Sequence, residues 1–312
     1  MAGPYAADVV YRGVRRPDHR PRRTHAIIRI VTDSVASLPA RLAEQLGIEV
    51  VSLWVNDGES HMRDIDIDLD AFYRRLADMA HLPTSSQPSV DSLVEAFTRG
   101  VADGSAVIGV FISEKMSGTA QAARLAADMV RESIPEAVIE IVDARSNSMQ
   151  EGFVAVAAAK AALAGESLEG CLSAARDTIA RSRYLFTPAS LEYLRRGGRI
   201  GSASALLGQL LQIRPILTVE NGETATFAKV RTQARALSDM ASTFAADVSA
   251  YGFSDAVVHY IADRAPAEEF ARDTIAAIAG REVEVVPVSP VIGLHVGPAV
   301  GLVYVTQNPL RP

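Results

Sequence analysis

Three side chains in this sequence combine type and setting in a way that could do chemistry. Ser117 in "EKMSGTA" follows an apolar run and opens a helical stretch. Ser85 lies in "TSSQP", with Thr84 just before it. His295 sits in "VIGLHVGPAV", an apolar setting in which the polar edge of an imidazole needs a partner. Two chemistries use these groups. A Ser/His acyl hydrolase would take Ser117 as nucleophile and His295 as base, but K-M-S-G-T is not the G-x-S-x-G elbow and no acid is specified. A carboxylate-binding site would use the hydroxyls of Ser85 and Ser117 as donors that add no charge. A fourth cluster, Arg195, Arg196 and Arg199 of "EYLRRGGRI", precedes "SASALLGQLLQ". With Ser202 as N-cap, a helix start beside a guanidinium would attract an anion. The alternative is a glycine-terminated helix with solvated arginines. Metal chemistry is not indicated: His19, His25, His61, His81, His259 and His295 have no partner at the usual ligand spacing, and "RDIDIDLD" lacks the glycine and terminal glutamate of a calcium loop. No G-x-G-x-x-G follows the first strand and no Walker sequence is present, which argues against nucleotide binding by those routes.

Elements of an α/β protein must position these groups. The apolar share of 48% over 312 residues suits a well-buried chain of about two domains. A net charge of -6 argues against general nucleic-acid binding. The lone Cys171 leaves no disulfide within the chain and fits a cytoplasmic protein. "GFVAVAAAKAALAG" is interrupted by Lys160 and too short to span a bilayer, and no apolar h-region of a signal peptide follows the N-terminal arginines. Residues 1–25, with Arg12, Arg15, Arg16, Arg20, Arg22 and Arg23, read as a disordered basic tail, either a non-functional extension or a nucleic-acid or membrane contact.

From residue 26 the apolar runs alternate with helical patterns. "AIIRIVTDS", "IEVVSLWV", "SAVIGVFIS" and "AVIEIVDA" read as strands, with helices from Pro39, over 66–79, from Ser89, from Ser117 and over 151–164. This predicts a parallel sheet with helices on both faces, ligands binding beyond the carboxyl ends of its strands. "TSSQ" is expected in a loop. The second half predicts a smaller mixed-sheet α/β domain: a hairpin across Asn221-Gly222, a helix over 232–249, then strand, helix, strand and a last strand "AVGLVYVT". The boundary falls near 165–180, giving units of 26–170 and 171–312 with a ligand cleft between them.

Four blocks in order give a specific resemblance: "IVTDSVASLP"; "TSSQPS"; "SGTAQAA" with "LEYLRRGGRI"; and "IRPIL…NG" with "VRT" and H-x-G-P. Together they resemble the DegV family of bacterial fatty-acid-binding proteins over residues 27 to 305. The resemblance implies two α/β domains clasping one long-chain fatty acid, no other cofactor, no catalysis by the chain itself, at most transient membrane contact, and in some bacteria a partner, the catalytic subunit of a fatty acid kinase that makes acyl-phosphate. It places the carboxylate-holding hydroxyls on Ser85, or Thr84 beside it, and on Ser117, the histidine on His295, and the functional arginines on Arg199 and Arg231. The stretches Ala155–Ala164 and Ala203–Leu211 would wall the acyl tunnel. Ala299 and Gly201 stand where the family has glycine and serine.

Overall fold

A computed structural model describes residues 27–310, apart from 59, 77–78, 80–81 and 210–212. The basic tail expected over 1–25 lies outside the described residues. Strands β1 (Ile28–Asp33), β2 (Ile48–Val51), β6 (Ala106–Phe111) and β7 (Ile139–Asp143) form a parallel sheet in the order β2-β1-β6-β7. Every residue of β6 is buried, as a central strand covered on both faces requires. The covering helices are α1 (Ala40–Leu46), α3 (Val90–Val101), α4 (Thr119–Ser133), α5 (Ser148–Leu163) and α6 (Leu168–Arg181), with α2 (Leu69–Leu76) lying outside them toward the second sheet.

The second sheet is mixed and runs β10-β9-β8-β13-β11-β12. Its members are β8 (Ser182–Pro188), β9 (Arg214–Glu220), β10 (Glu223–Val230), β11 (Phe253–Ile261), β12 (Glu284–Pro287) and β13 (Ala299–Thr306). Only β11 and β12 pair in parallel. Expected in the smaller unit, this sheet is the wider one, because β8, which the sequence reading left unassigned, sits at its centre. The predicted hairpin is present, with Asn221 at φ 53° and Gly222 at φ 83°, the left-handed pair a two-residue turn demands. Helices α7 (Glu192–Arg196), α8 (Gln233–Tyr251), α9 (Ala265–Phe270), α10 (Ala276–Ala279) and α11 (Pro290–Val296) complete the unit, a π-turn joining α9 to α10.

Two expectations change. "IEVVSLWV" is not one strand. Ser34 Oγ accepts from the Leu53 N–H at 2.8 Å, and Ser52 Oγ donates to Asp64 at 2.8 Å. These side-chain bonds replace the ladder at 52–53, and the chain restarts as β3 (Trp54–Asn56) in a small antiparallel sheet with β4 (His61–Arg63) and β5 (Thr84–Ser86). The "TSSQ" block therefore begins as a strand. Downstream, Gly201–Gln209 is 3₁₀ and not an α-helix capped by Ser202. Gly201, at φ 54°, is wedged on the Thr224 backbone, and Ser202 Oγ donates to the Thr224 carbonyl.

Helix α5 joins the halves. It is apolar all round and touches β1 and β6 on one side and β8 and β13 on the other. Its Ala155, Ala158 and Ala159 pack with Ile30, Ile108 and the α6 residues Cys171, Leu172 and Ala175, so this stretch builds core and not a tunnel wall. Where α5 begins, Glu151 and Asp33 are fully buried side by side. Asp33 accepts from the N–H groups of Val35 (2.9 Å) and Ile112 (3.1 Å). Burial raises both carboxyls, Asp33 to about 7 and Glu151 well above its ordinary range, where the charge of Asp33 adds to the rise, so Glu151 keeps its proton.

Candidate ligand-binding site

A cavity of about 280 Å³ lies where the carboxyl ends of the parallel strands meet the second sheet. Leu53, Ile112, Tyr184, Phe186, Ile292 and Val296 make its apolar wall. Ser85, Ser117, Arg199 and His295 also line it. Four residues singled out in the sequence, far apart along the chain, thus share one pocket. Thr84 and Arg231 are exposed and do not line it.

The small sheet separates Ser85 from Thr84. Ser85 lies opposite Val55, whose side chain is buried, and turns the same way. Thr84 lies opposite Asn56 and faces outward. Ser117 follows a tight turn on the Ser113 carbonyl, and its Oγ bonds Thr119 Oγ1 at 2.8 Å. Gly118 lies against the end of the Gln87 side chain, so the "TSSQP" and "SGT" segments meet there.

His295 ends α11, with Nε2 2.8 Å from Ser85 Oγ. Its Nδ1 is buried and has no partner, and Gly197 lies so close that a β-carbon there would strike it. Burial, helped by the positive charge of Arg199, pushes this imidazole down to about 4, so it is neutral at ordinary pH. A buried N–H without an acceptor costs more than an unused lone pair. The proton therefore sits on Nε2 and is donated to Ser85 Oγ, leaving the Ser85 O–H to donate into the pocket.

Arg199 crosses the mouth of the cavity. Its Nη1 donates to the Gly197 carbonyl at 2.6 Å and its Nε to the Met116 carbonyl at 3.3 Å, which belongs to the other half of the molecule. Arg195 is held bidentately by Glu192. The "RRGGR" segment is thus a helix stop in which Gly197 makes room for His295, Gly198 turns the chain at φ 71°, and Arg199 is the arginine of that cluster that reaches the cavity.

The Ser117/His295 hydrolase pair is not assembled. His295 bonds Ser85 instead of Ser117, no carboxylate orients its Nδ1, and a base at about 4 is poorly matched to activating a hydroxyl. Among the described residues no three His, Cys, Asp or Glu side chains gather as a metal site, and no helix is long and apolar enough to cross a membrane.

Three pocket features escaped the sequence reading. Tyr184 and Phe186 come from the unassigned β8. Asn147, between β7 and α5, lines the cavity as a buried amide; a polar residue at a strand-to-helix junction was the available signal.

A family model described as "Uncharacterised protein, DegV family" matches residues 27–307. A DegV domain-containing protein of Clostridium acetobutylicum is 41% identical over 285 residues, 91% of this chain and 99% of that protein. A solved structure described as fatty acid binding of a DegV family protein from Thermus thermophilus superposes with a TM-score of 0.82 at 30% identity, covering 89% of this chain and 99% of the other. DegV of Bacillus subtilis, described as a fatty acid binding protein, gives 0.81 at 30% identity, covering 90% and 99%. Motif order, architecture and these matches agree: this chain belongs to the DegV family.

Proposed function

We propose that this protein binds one long-chain fatty acid in the cavity between its two α/β units, acting as a cytoplasmic carrier that presents the carboxylate to a fatty acid kinase. The Ser85–His295 pair carries the reading. It aims a hydroxyl donor into an apolar cavity that Ser117 also lines. The solved relatives described as fatty acid binding proteins support it. The acyl chain supplies affinity: about 15 buried methylenes contribute roughly 12 kcal/mol gross, before association and ordering costs. A buried unpaired carboxylate would cost several kcal/mol. Hydroxyls of Ser85 and Ser117, at about 1.5–3 kcal/mol per charge-assisted hydrogen bond, offset that and set the orientation. His295 acts through Ser85.

Arg199 at the mouth suits the next step, since a guanidinium tracks carboxylate and phosphate alike. Arg231 lies outside the cavity, where a docked kinase subunit would meet it. The test mixes lipid-loaded protein, Mg-ATP and the catalytic subunit from the same organism, and follows acyl-phosphate as hydroxamate. Arg231→Ala is expected to keep its lipid and lose product formation. Equal rates for wild type, Arg199→Ala and Arg231→Ala remove the arginines from this role. No product with that subunit removes the kinase step and leaves a storage or transport protein.

A further inference from the structure

Asn147 occupies the N-cap position of α5, the place where an asparagine normally accepts from the helix's first free N–H groups. Its side chain makes no such bond. His259, from the second sheet, does the capping: its Nε2 accepts from the Met149 N–H at 3.1 Å, while its Nδ1 donates to the Val286 carbonyl at 2.8 Å. Relieved of that duty, the Asn147 amide turns into the cavity. It is only 8% exposed. Its Oδ1 is fixed by the Ser148 hydroxyl at 2.9 Å, which orients Nδ2. The acceptor that Nδ2 finds is the Met116 thioether at 3.2 Å, and sulfur is a weak acceptor. An NH₂ has two hydrogens; the second has no acceptor among the described residues.

A buried donor spent on a thioether has no use in a wall that meets only methylenes. A ligand oxygen there would relieve its desolvation at little entropic cost, because Ser148 already holds the amide. Asn147 and Met116 line the cavity with Ser117 and Arg199, so this donor stands at the head-group end. We propose that Asn147 forms a second polar subsite that takes the hydroxyl of a hydroxylated fatty acid, one bearing its oxygen within the first few carbons of the carboxylate. This rests on the lipid-binding reading above and narrows its ligand class.

The test measures affinities of delipidated protein for palmitate, 2-hydroxypalmitate and 3-hydroxypalmitate. Wild type is expected to bind at least one hydroxy acid roughly three- to tenfold tighter than palmitate, the return on one neutral hydrogen bond. Asn147→Leu, close in size and without a donor, should lose the preference for the hydroxy acid over palmitate; Asn147→Ala checks this independently, with thermal melts confirming the fold. No preference in the wild type overturns the subsite, whatever the variants do. A preference retained in both variants overturns it too. Equal loss of palmitate and hydroxy-acid affinity overturns it in favour of Asn147 as a third carboxylate donor. Wild type binding none of the three acids overturns the lipid reading itself, and the subsite with it.

Discussion

Replacing Glu151 by glutamine should make the protein more stable in mild alkali and leave it unchanged in mild acid. In the fold burial disfavours the charge and raises Asp33 to about 7 and Glu151 well above its ordinary range. An unfolded chain releases both near 4. Between those limits the folded state binds more protons than the unfolded one, so stability falls as pH rises. For Asp33, fully buried and moved from 3.8 to about 7, the loss is on the order of 4 kcal/mol, at about 1.4 kcal/mol per pH unit. It is complete near pH 7, and Glu151 carries the decline into more alkaline solution. Glutamine at 151 keeps the acceptor for Thr32 Oγ1, which lies 3.4 Å from Glu151 Oε1. It removes the deprotonation of position 151. The expected gain is about 1–3 kcal/mol near pH 8, a melting temperature higher by roughly 2–5 °C, shrinking to nothing toward pH 5. Calorimetric melts of wild type and E151Q across that range decide the matter. Parallel curves, with a constant gap or none, would refute a protonated Glu151 in the fold.

Ser117→Ala should weaken palmitate binding about ten- to hundredfold, the loss of one charge-assisted hydrogen bond, and titration calorimetry reads it. An esterase activity of the wild type that disappears in this variant would instead favour a hydrolase. Gly197→Ala, at an ordinary helical φ of -74°, places a methyl against His295 Nδ1 and should push the imidazole off Ser85. A palmitate affinity lowered roughly three- to tenfold, with a destabilisation of about 1–3 kcal/mol from the overpacked ring, is expected, and wild-type affinity would show that Ser85 needs no help from His295. His259→Ala strands the buried Met149 N–H and leaves a cavity. It should cost about 2–4 kcal/mol in denaturant unfolding, and a change below 1 kcal/mol argues against the cap.

Much of the architecture was legible because apolar runs and helical periods alternate plainly in the first half. The turn at Asn221-Gly222 was legible because its backbone needs those residues. The break at Ser52-Leu53 was not, since it depends on Ser34 and Asp64, remote in sequence. Choosing Ser85 over Thr84 required the register of β5 on β3, because an offset of one residue reverses the face. Arg199 and His295 carried recognisable motifs, but their meeting at Gly197 is a tertiary fact. Asn147 was missed as a pocket group because its freedom comes from His259, a residue on another sheet.

The central claim is that the cavity holds a fatty acid by its carboxylate. Native mass spectrometry of protein purified from a bacterial host, followed by solvent extraction, tests it most directly. One intact free fatty acid per chain is expected in the wild type, and a largely empty Ser85→Ala/Ser117→Ala double variant. Wild-type protein that arrives empty and takes up neither palmitate nor oleate would contradict it.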